Sequence, residues 1–206
     1  MVVNTEYLKK MAAEILLVEK QKTAIDLAAK MLAFAQEKNE LIHVFGTDCV
    51  ASAVVSNIFF RKGSLTNINP VFDPTLDPAH GAWRNVMCME LDGLAPCILD
   101  YYEYINPGET MVLITSENDA VMFNQALSWA KEKSLKTIVI ADSKCDCDAD
   151  VLIRCNTEMS VLSAVLKILN DASVNLLQDK ENSVWKGELD SDKGKINDLL
   201  TRIRHL

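Results

Sequence analysis

The sequence predicts an α/β fold, a three-layer sandwich with a central five-stranded parallel sheet flanked by helices. Two observations carry this reading. Five short apolar runs have the length and β-branched content of buried strands: LIHVFG (41–46), TNINPVF (66–72), TMVLITS (110–116), KTIVIAD (136–142) and ADVLIRC (149–155). Segments of ten or more residues with helical apolar spacing alternate with them, which implies βαβ units and helices on both faces.

The elements follow in order. From Tyr7 to about Lys38 the residues Tyr7, Leu8, Met11, Ile15, Val18, Ile25, Ala29 and Leu32 recur at three-four spacing. This is one long amphipathic helix, or two broken near Lys20, with Asn4 as a candidate N-cap. After the first strand a helix is expected from about Cys49 to Lys62, ended by Gly63. The DPTLDPAHG segment (73–81) reads as loop because Pro74 and Pro78 exclude regular structure. Helical spacing returns over 82–104, and NPGE (106–109) is a turn. Further helices are expected over about 118–134, 159–177 and 192–206. At 206 residues the chain fits one domain (1–206), with a helical arm at 1–38 and a terminal helix at 193–206.

Composition narrows the function. Apolar residues make up 49% and charged residues 24%, and the net charge is −8. An acidic chain lacks the positive face that nucleic acid or an anionic membrane requires, so neither is an expected partner. No window is apolar over the length that spans a bilayer, and the N-terminal stretch mixes charges into its apolar residues. The expected location is the cytoplasm. The six cysteines are therefore expected to be reduced. The run CDCDAD (145–150) offers thiol and carboxylate ligands, but without a nearby histidine it reads as a solvated turn. No metal or cofactor is expected.

In parallel sheets, ligands bind at the carboxyl ends of the strands, near helix N-termini. Two strand exits are thus the places to search, FGTDC (45–49) and ITSEND (114–119).

The stretch IHVFGTDCVASAVVSNIFFRKGSLTNINPVFDPTL resembles the bacterial sugar-isomerase-domain (SIS) family, whose members read approximately HVFGTGHS…EEVFYRAGGL…VNPILDPSL there. The likeness continues through HGAWRN…ELDGLA, INPGETMVLITS and ADVLI to the C-terminal NSVWKGELDSDKGKINDLLTRIRHL. It implies a flavodoxin-like five-stranded parallel sheet, a homodimer, a sugar or sugar-phosphate ligand held by hydroxyl-rich turns, and aldose–ketose isomerisation in some members. On that resemblance the ligand-binding candidates are Gly46, Thr47, Asp48, Cys49, Thr115, Ser116 and Asn118.

The departures concern these same positions. The family's GTGHS stands here as Gly46-Thr47-Asp48-Cys49-Val50, and its hydroxyl-rich SNSG turn aligns with Thr115-Ser116-Glu117-Asn118. The paired acids that precede FYR fall on Val54, Val55 or Ser56, none of which moves a proton as a carboxylate would. Two unit charges about 6 Å apart at an effective dielectric of roughly 20 repel by about 3 kcal/mol. Asp48, with Glu117 or Asp119, would then oppose a phosphate more strongly than the loss of neutral hydrogen bonds, each about 1 kcal/mol. The alternative is that Asp48 and Asp119 cap helices and point away from the cleft.

Among single residues, His80 is a candidate general base because its ordinary pKa lies near neutrality. His43 reads as a satisfied residue of the sheet, and Cys49 as a buried thiol, since Asp48 disfavours its thiolate. Trp83 and Trp129 read as packing anchors, and Arg61 as an anion ligand or a brace between subunits. His205 falls in the last turn of the terminal helix. Three functions remain: a sugar-phosphate-binding protein and phosphosugar isomerase with a degenerate site, a catalytically silent SIS fold that senses a ligand or acts as a dimeric scaffold, or a binder of an uncharged or amine-bearing sugar, which acidic loops would suit.

Overall fold

A computed structural model describes residues 5–102, 104–118 and 120–188. The expected terminal helix with His205, the Asn4 cap and Asp119 lie outside the described residues. The elements run α1 (Thr5–Leu17), α2 (Lys22–Glu37), β1 (Ile42–Gly46), α3 (Cys49–Val55), β2 (Ile68–Val71), α4 (Ala82–Met89) and α5 (Leu94–Tyr101). There follow β3 (Thr110–Ile114), α6 (Val121–Glu132), β4 (Lys136–Asp142), β5 (Val151–Cys155) and α7 (Met159–Leu176).

The five strands form one parallel sheet in the order β2-β1-β3-β4-β5. β2 is added on one side of β1 and β3 on the other, so the order of winding across the sheet reverses between β1 and β3. That switch point is where a doubly wound sheet leaves a crevice at its carboxyl edge. Period-two alternation sends each strand's side chains to both layers. Val44, Val112, Ile114, Ile138 and Ile140 join one apolar cluster with residues of α2, α3 and α7. Phe45, Met111, Leu113 and Val139 join a second with residues of α5 and α6.

The break near Lys20 is real. A 3-10 turn, Val18–Gln21, separates α1 from α2, and the Gln21 side-chain oxygen accepts the backbone N–H of Arg154 in β5 (3.3 Å). Three expectations change. Helix α3 stops at Val55, seven residues rather than fourteen, because the Ser56 hydroxyl donates to the Ala53 carbonyl and Phe60 takes a left-handed backbone (φ 49°). The 82–104 segment is two helices, parted at Gly93, whose φ of 81° no side-chain-bearing residue adopts readily. The 73–81 segment is regular after all. Two 3-10 turns, Pro74–Leu76 and Pro78–His80, each begin with an aspartate that accepts an N–H two residues on, Asp73 from Thr75 and Asp77 from Ala79 (both 2.8 Å). Proline at the first helical position completes each turn.

The two tryptophans part company. Trp129 is buried and donates its indole N–H to Asp100 Oδ1 (2.9 Å). Trp83 is 78% exposed and packs little, contrary to expectation, because α4 buries only Asn85. His43 is fully buried and satisfied. Asn69 Nδ2 lies 2.9 Å from His43 Nδ1, and His43 Nε2 lies 2.9 Å from Glu109 Oε2. The Asn69 amide nitrogen can only donate, so His43 Nδ1 accepts from it and Nε2 carries the proton donated to Glu109. Tyr104 closes the chain by donating to Asn69 Oδ1 (3.2 Å).

Candidate functional site

The exits of β1 and β3 lie side by side at the switch point, and the sequence places a turn at each. Gly46 closes β1. A Cβ there would stand 2.3 Å from the Ala51 carbonyl carbon and 2.3 Å from the Ser52 nitrogen, so only glycine lets β1 run this close beneath α3. Its role in the fold is this close approach. Thr47 follows with its hydroxyl turned inward; both its N–H (2.9 Å) and its Oγ1 (3.2 Å) donate to the Ile114 carbonyl, tying the two exits together.

Asp48 is the N-cap of α3, with Oδ1 accepting from Ala51 N (2.8 Å). Its other oxygen does not point away. Oδ2 crosses to the neighbouring exit and accepts the backbone N–H of Ser116 at 2.6 Å, with Thr115 Oγ1 at 3.5 Å. The side chain is almost wholly buried, 3% exposed. The carboxylate therefore occupies main-chain donors of both turns at once. Thr115 is also turned inward: its hydroxyl donates to the Glu117 carbonyl (2.8 Å) and accepts the Glu117 N–H (3.1 Å). Glu117 itself is exposed. Asn118 reaches away toward β4, with Nδ2 at 3.5 Å from Asp142 Oδ1. The structure thus joins Thr47, Asp48, Thr115 and Ser116 into one closed hydrogen-bonded knot, and Asn118 is not part of it.

Beside this knot opens a cleft of about 700 Å³ between α3 and the two 3-10 turns. Cys49 and His80 line it, with Ser52, Ser56, Phe72, Asp73 and Asp77. Burial raises the Cys49 thiol above its ordinary value, and the Asp48 charge raises it further, which disfavours a nucleophilic thiolate. His80 is exposed and stands 4.0 Å from Asp77 Oδ2. Among the described lining residues the acids are Asp73 and Asp77, the one histidine is His80, and there is neither lysine nor arginine. Val54 and Val55 are fully buried, so α3 presents no proton-transferring acid. Arg61 lies outside the cleft lining, its Nε 3.5 Å from the Ser56 carbonyl.

The sequence reading missed Asp73, Asp77, Ser52 and Phe72 as lining residues. The signal was present in the doubled Asp-Pro of 73–74 and 77–78. A cap followed by an N1 proline specifies a tight turn, and two in succession bring the segment to the cleft opposite α3.

Residues 6–142 match the SIS domain. The chain belongs to the SIS domain family. Relatives of this SIS domain include UPF0309 proteins of Geobacillus thermodenitrificans, 29% identical over 137 residues, and of Geobacillus kaustophilus, 32% identical over 127. These cover 66% and 61% of the chain and 54% and 49% of the relatives, so the chain spans about half the length of the curated relatives it matches. In three dimensions it is similar to phosphoheptose isomerases of Francisella tularensis (TM-score 0.54, 14% identity) and Neisseria gonorrhoeae (TM-score 0.55, 12% identity). The alignments cover 82% and 83% of this chain and 93% and 98% of those proteins. At such identities the likeness establishes the fold.

Proposed function

We propose that this SIS domain is a sugar-binding protein of phosphosugar-isomerase ancestry, whose strand-exit phosphate seat is filled by its own Asp48 and which senses or holds its ligand without turning it over. The observation that carries the proposal is the Asp48 carboxylate, bonded at 2.8 Å to Ala51 N and at 2.6 Å to Ser116 N. A phosphate approaching the switch point meets donors already taken and a fixed negative charge beneath them. Sugar hydroxyls face no such exclusion in the adjoining cleft, where Ser52 and Ser56 offer hydrogen bonds and the Phe72 ring offers an apolar face.

One observation favours a second reading, an active isomerase. His80 stands in the cleft near Asp77, the pairing a general base for aldose–ketose proton transfer would use. A second copy of the chain is the proposed partner, covering exposed apolar side chains of α1 and α2 such as Leu8, Leu16 and Leu27, and the proposed location is the cytoplasm.

The test is a thermal-shift screen with neutral sugars, amino sugars and sugar phosphates, followed by a turnover assay on every hit. Saturation to 100 times the dissociation constant adds about 2.7 kcal/mol of stability. Stabilisation by sugars without isomerisation is the expected result. Stabilisation by sugar phosphates with turnover that His80→Ala abolishes would replace this reading with the second.

A further inference from the structure

Ser52 lines the cleft from α3, is 8% exposed, and its hydroxyl makes no hydrogen bond among the described residues. It is not one of the sealed, unpartnered polar atoms of the interior, so the part of it left open opens into the cleft. A hydroxyl this buried normally has a partner, and here the contents of the cleft supply it. Its neighbour Ser56 already donates to the Ala53 carbonyl (2.9 Å). On the other wall the two aspartates each spend one oxygen on their own turn, Asp73 Oδ1 on Thr75 N and Asp77 Oδ1 on Ala79 N (both 2.8 Å). The second oxygens are free: among the described residues Asp73 Oδ2 accepts no hydrogen bond, and Asp77 Oδ2 stands 4.0 Å from His80 Nε2, beyond hydrogen-bond reach.

Taking the cleft as the sugar site of the proposed function, we infer that its sugar bears a free amino group and no phosphate, the ammonium facing Asp73 and Asp77 and a sugar hydroxyl bonded to Ser52. With neither lysine nor arginine among the described lining residues, a cation entering the cleft meets two carboxylates and no fixed positive charge. The buried Asp48 carboxylate adds negative charge at the adjoining strand exit. A carboxylate only accepts and an ammonium only donates, so the free Asp73 and Asp77 oxygens match an amine, whereas a phosphate ester brings further acceptors to them. Phe72, 41% exposed, gives the cleft an aromatic face, which attracts a cation and covers the C–H side of a sugar ring.

Isothermal titration calorimetry of the full 206-residue chain at pH 7 compares glucosamine with glucose and with N-acetylglucosamine, in which acylation removes the charge. Glucosamine should bind about tenfold more tightly than either, the effect of one charge-assisted hydrogen bond. The double variant Asp73→Asn/Asp77→Asn should lose that preference; asparagine caps a turn as aspartate does, so the fold is kept. Ser52→Ala should weaken all three sugars alike. Glucose bound as tightly as glucosamine, a preference undiminished in the double variant, or full affinity in Ser52→Ala overturns the inference while the sugar-binding reading stands. A native chain that binds none of the three sugars overturns both.

Discussion

Replacing Asp48 by glycine tests the sealed phosphate seat directly. Asp48 has an extended backbone (φ −143°, ψ 175°) that glycine adopts without strain, and glycine at an N-cap costs only a few tenths of a kcal/mol relative to aspartate. The larger loss is the charged hydrogen bond to Ser116 N, of the class worth about 1.5–3 kcal/mol. The contact with Thr115 Oγ1 adds little, since it is 3.5 Å long and that hydroxyl keeps the Glu117 carbonyl. The sum is about 2–3 kcal/mol, or a fall in melting temperature of about 4–12 °C for a chain of this size. The variant then has free N–H groups at both exits, so inorganic phosphate or a hexose phosphate at 100 times its dissociation constant should return about 2.7 kcal/mol. The assay is differential scanning fluorimetry of native and Asp48→Gly protein with and without phosphate esters. Equal phosphate stabilisation of both proteins refutes the reasoning, as does an Asp48→Gly variant that melts with the native chain.

Other positions give independent checks. Gly46→Ala sets a Cβ against the α3 backbone at 2.3 Å, where nothing flexible can yield, and should cost about 3 kcal/mol or more in urea unfolding. Burial works to raise the Glu109 carboxyl, but hydrogen bonds from His43, Asn106 N and Leu41 N outweigh it and hold the group below its ordinary 4.5. Its contribution is therefore complete above pH 4.5 and is lost as pH falls through the lower folded value; acid unfolding of Glu109→Gln should lack that component. Trp83→Ser should change stability by no more than about 0.5 kcal/mol, whereas Trp129→Phe, which strands a hydrogen bond to Asp100, should cost about 1 kcal/mol in chemical denaturation.

The strands were legible because a buried parallel strand has a local signature, as in TMVLITS, where every residue from Thr110 to Ile114 is buried. Helix ends were less so. Nothing in the spacing of residues 49–62 announces that Ser56 will turn its hydroxyl back to Ala53, or that Phe60 will go left-handed. Trp83 misled because amphipathic spacing identifies a face but not whether anything covers it. His43 was read as satisfied, yet its partners Asn69 and Glu109 lie 26 and 66 residues away, a pairing that only the sheet register creates.

Asp48 shows most clearly where reading by residue type stops. From sequence, a carboxylate at a strand exit is either a charge that repels phosphate or a cap that faces elsewhere. The geometry makes the two oxygens do different jobs. Oδ1 caps α3, which fixes the side-chain rotamer, and that rotamer delivers Oδ2 to Ser116 in the turn that follows β3, the neighbour of β1 in the sheet. The cap is thus the cause of the occlusion. Repulsion weakens with screening, whereas an acceptor bonded to the same N–H groups competes at any ionic strength. Added salt therefore distinguishes the two accounts: a seat guarded by charge alone would open to phosphate as ionic strength rises, and a seat already filled by Asp48 would not.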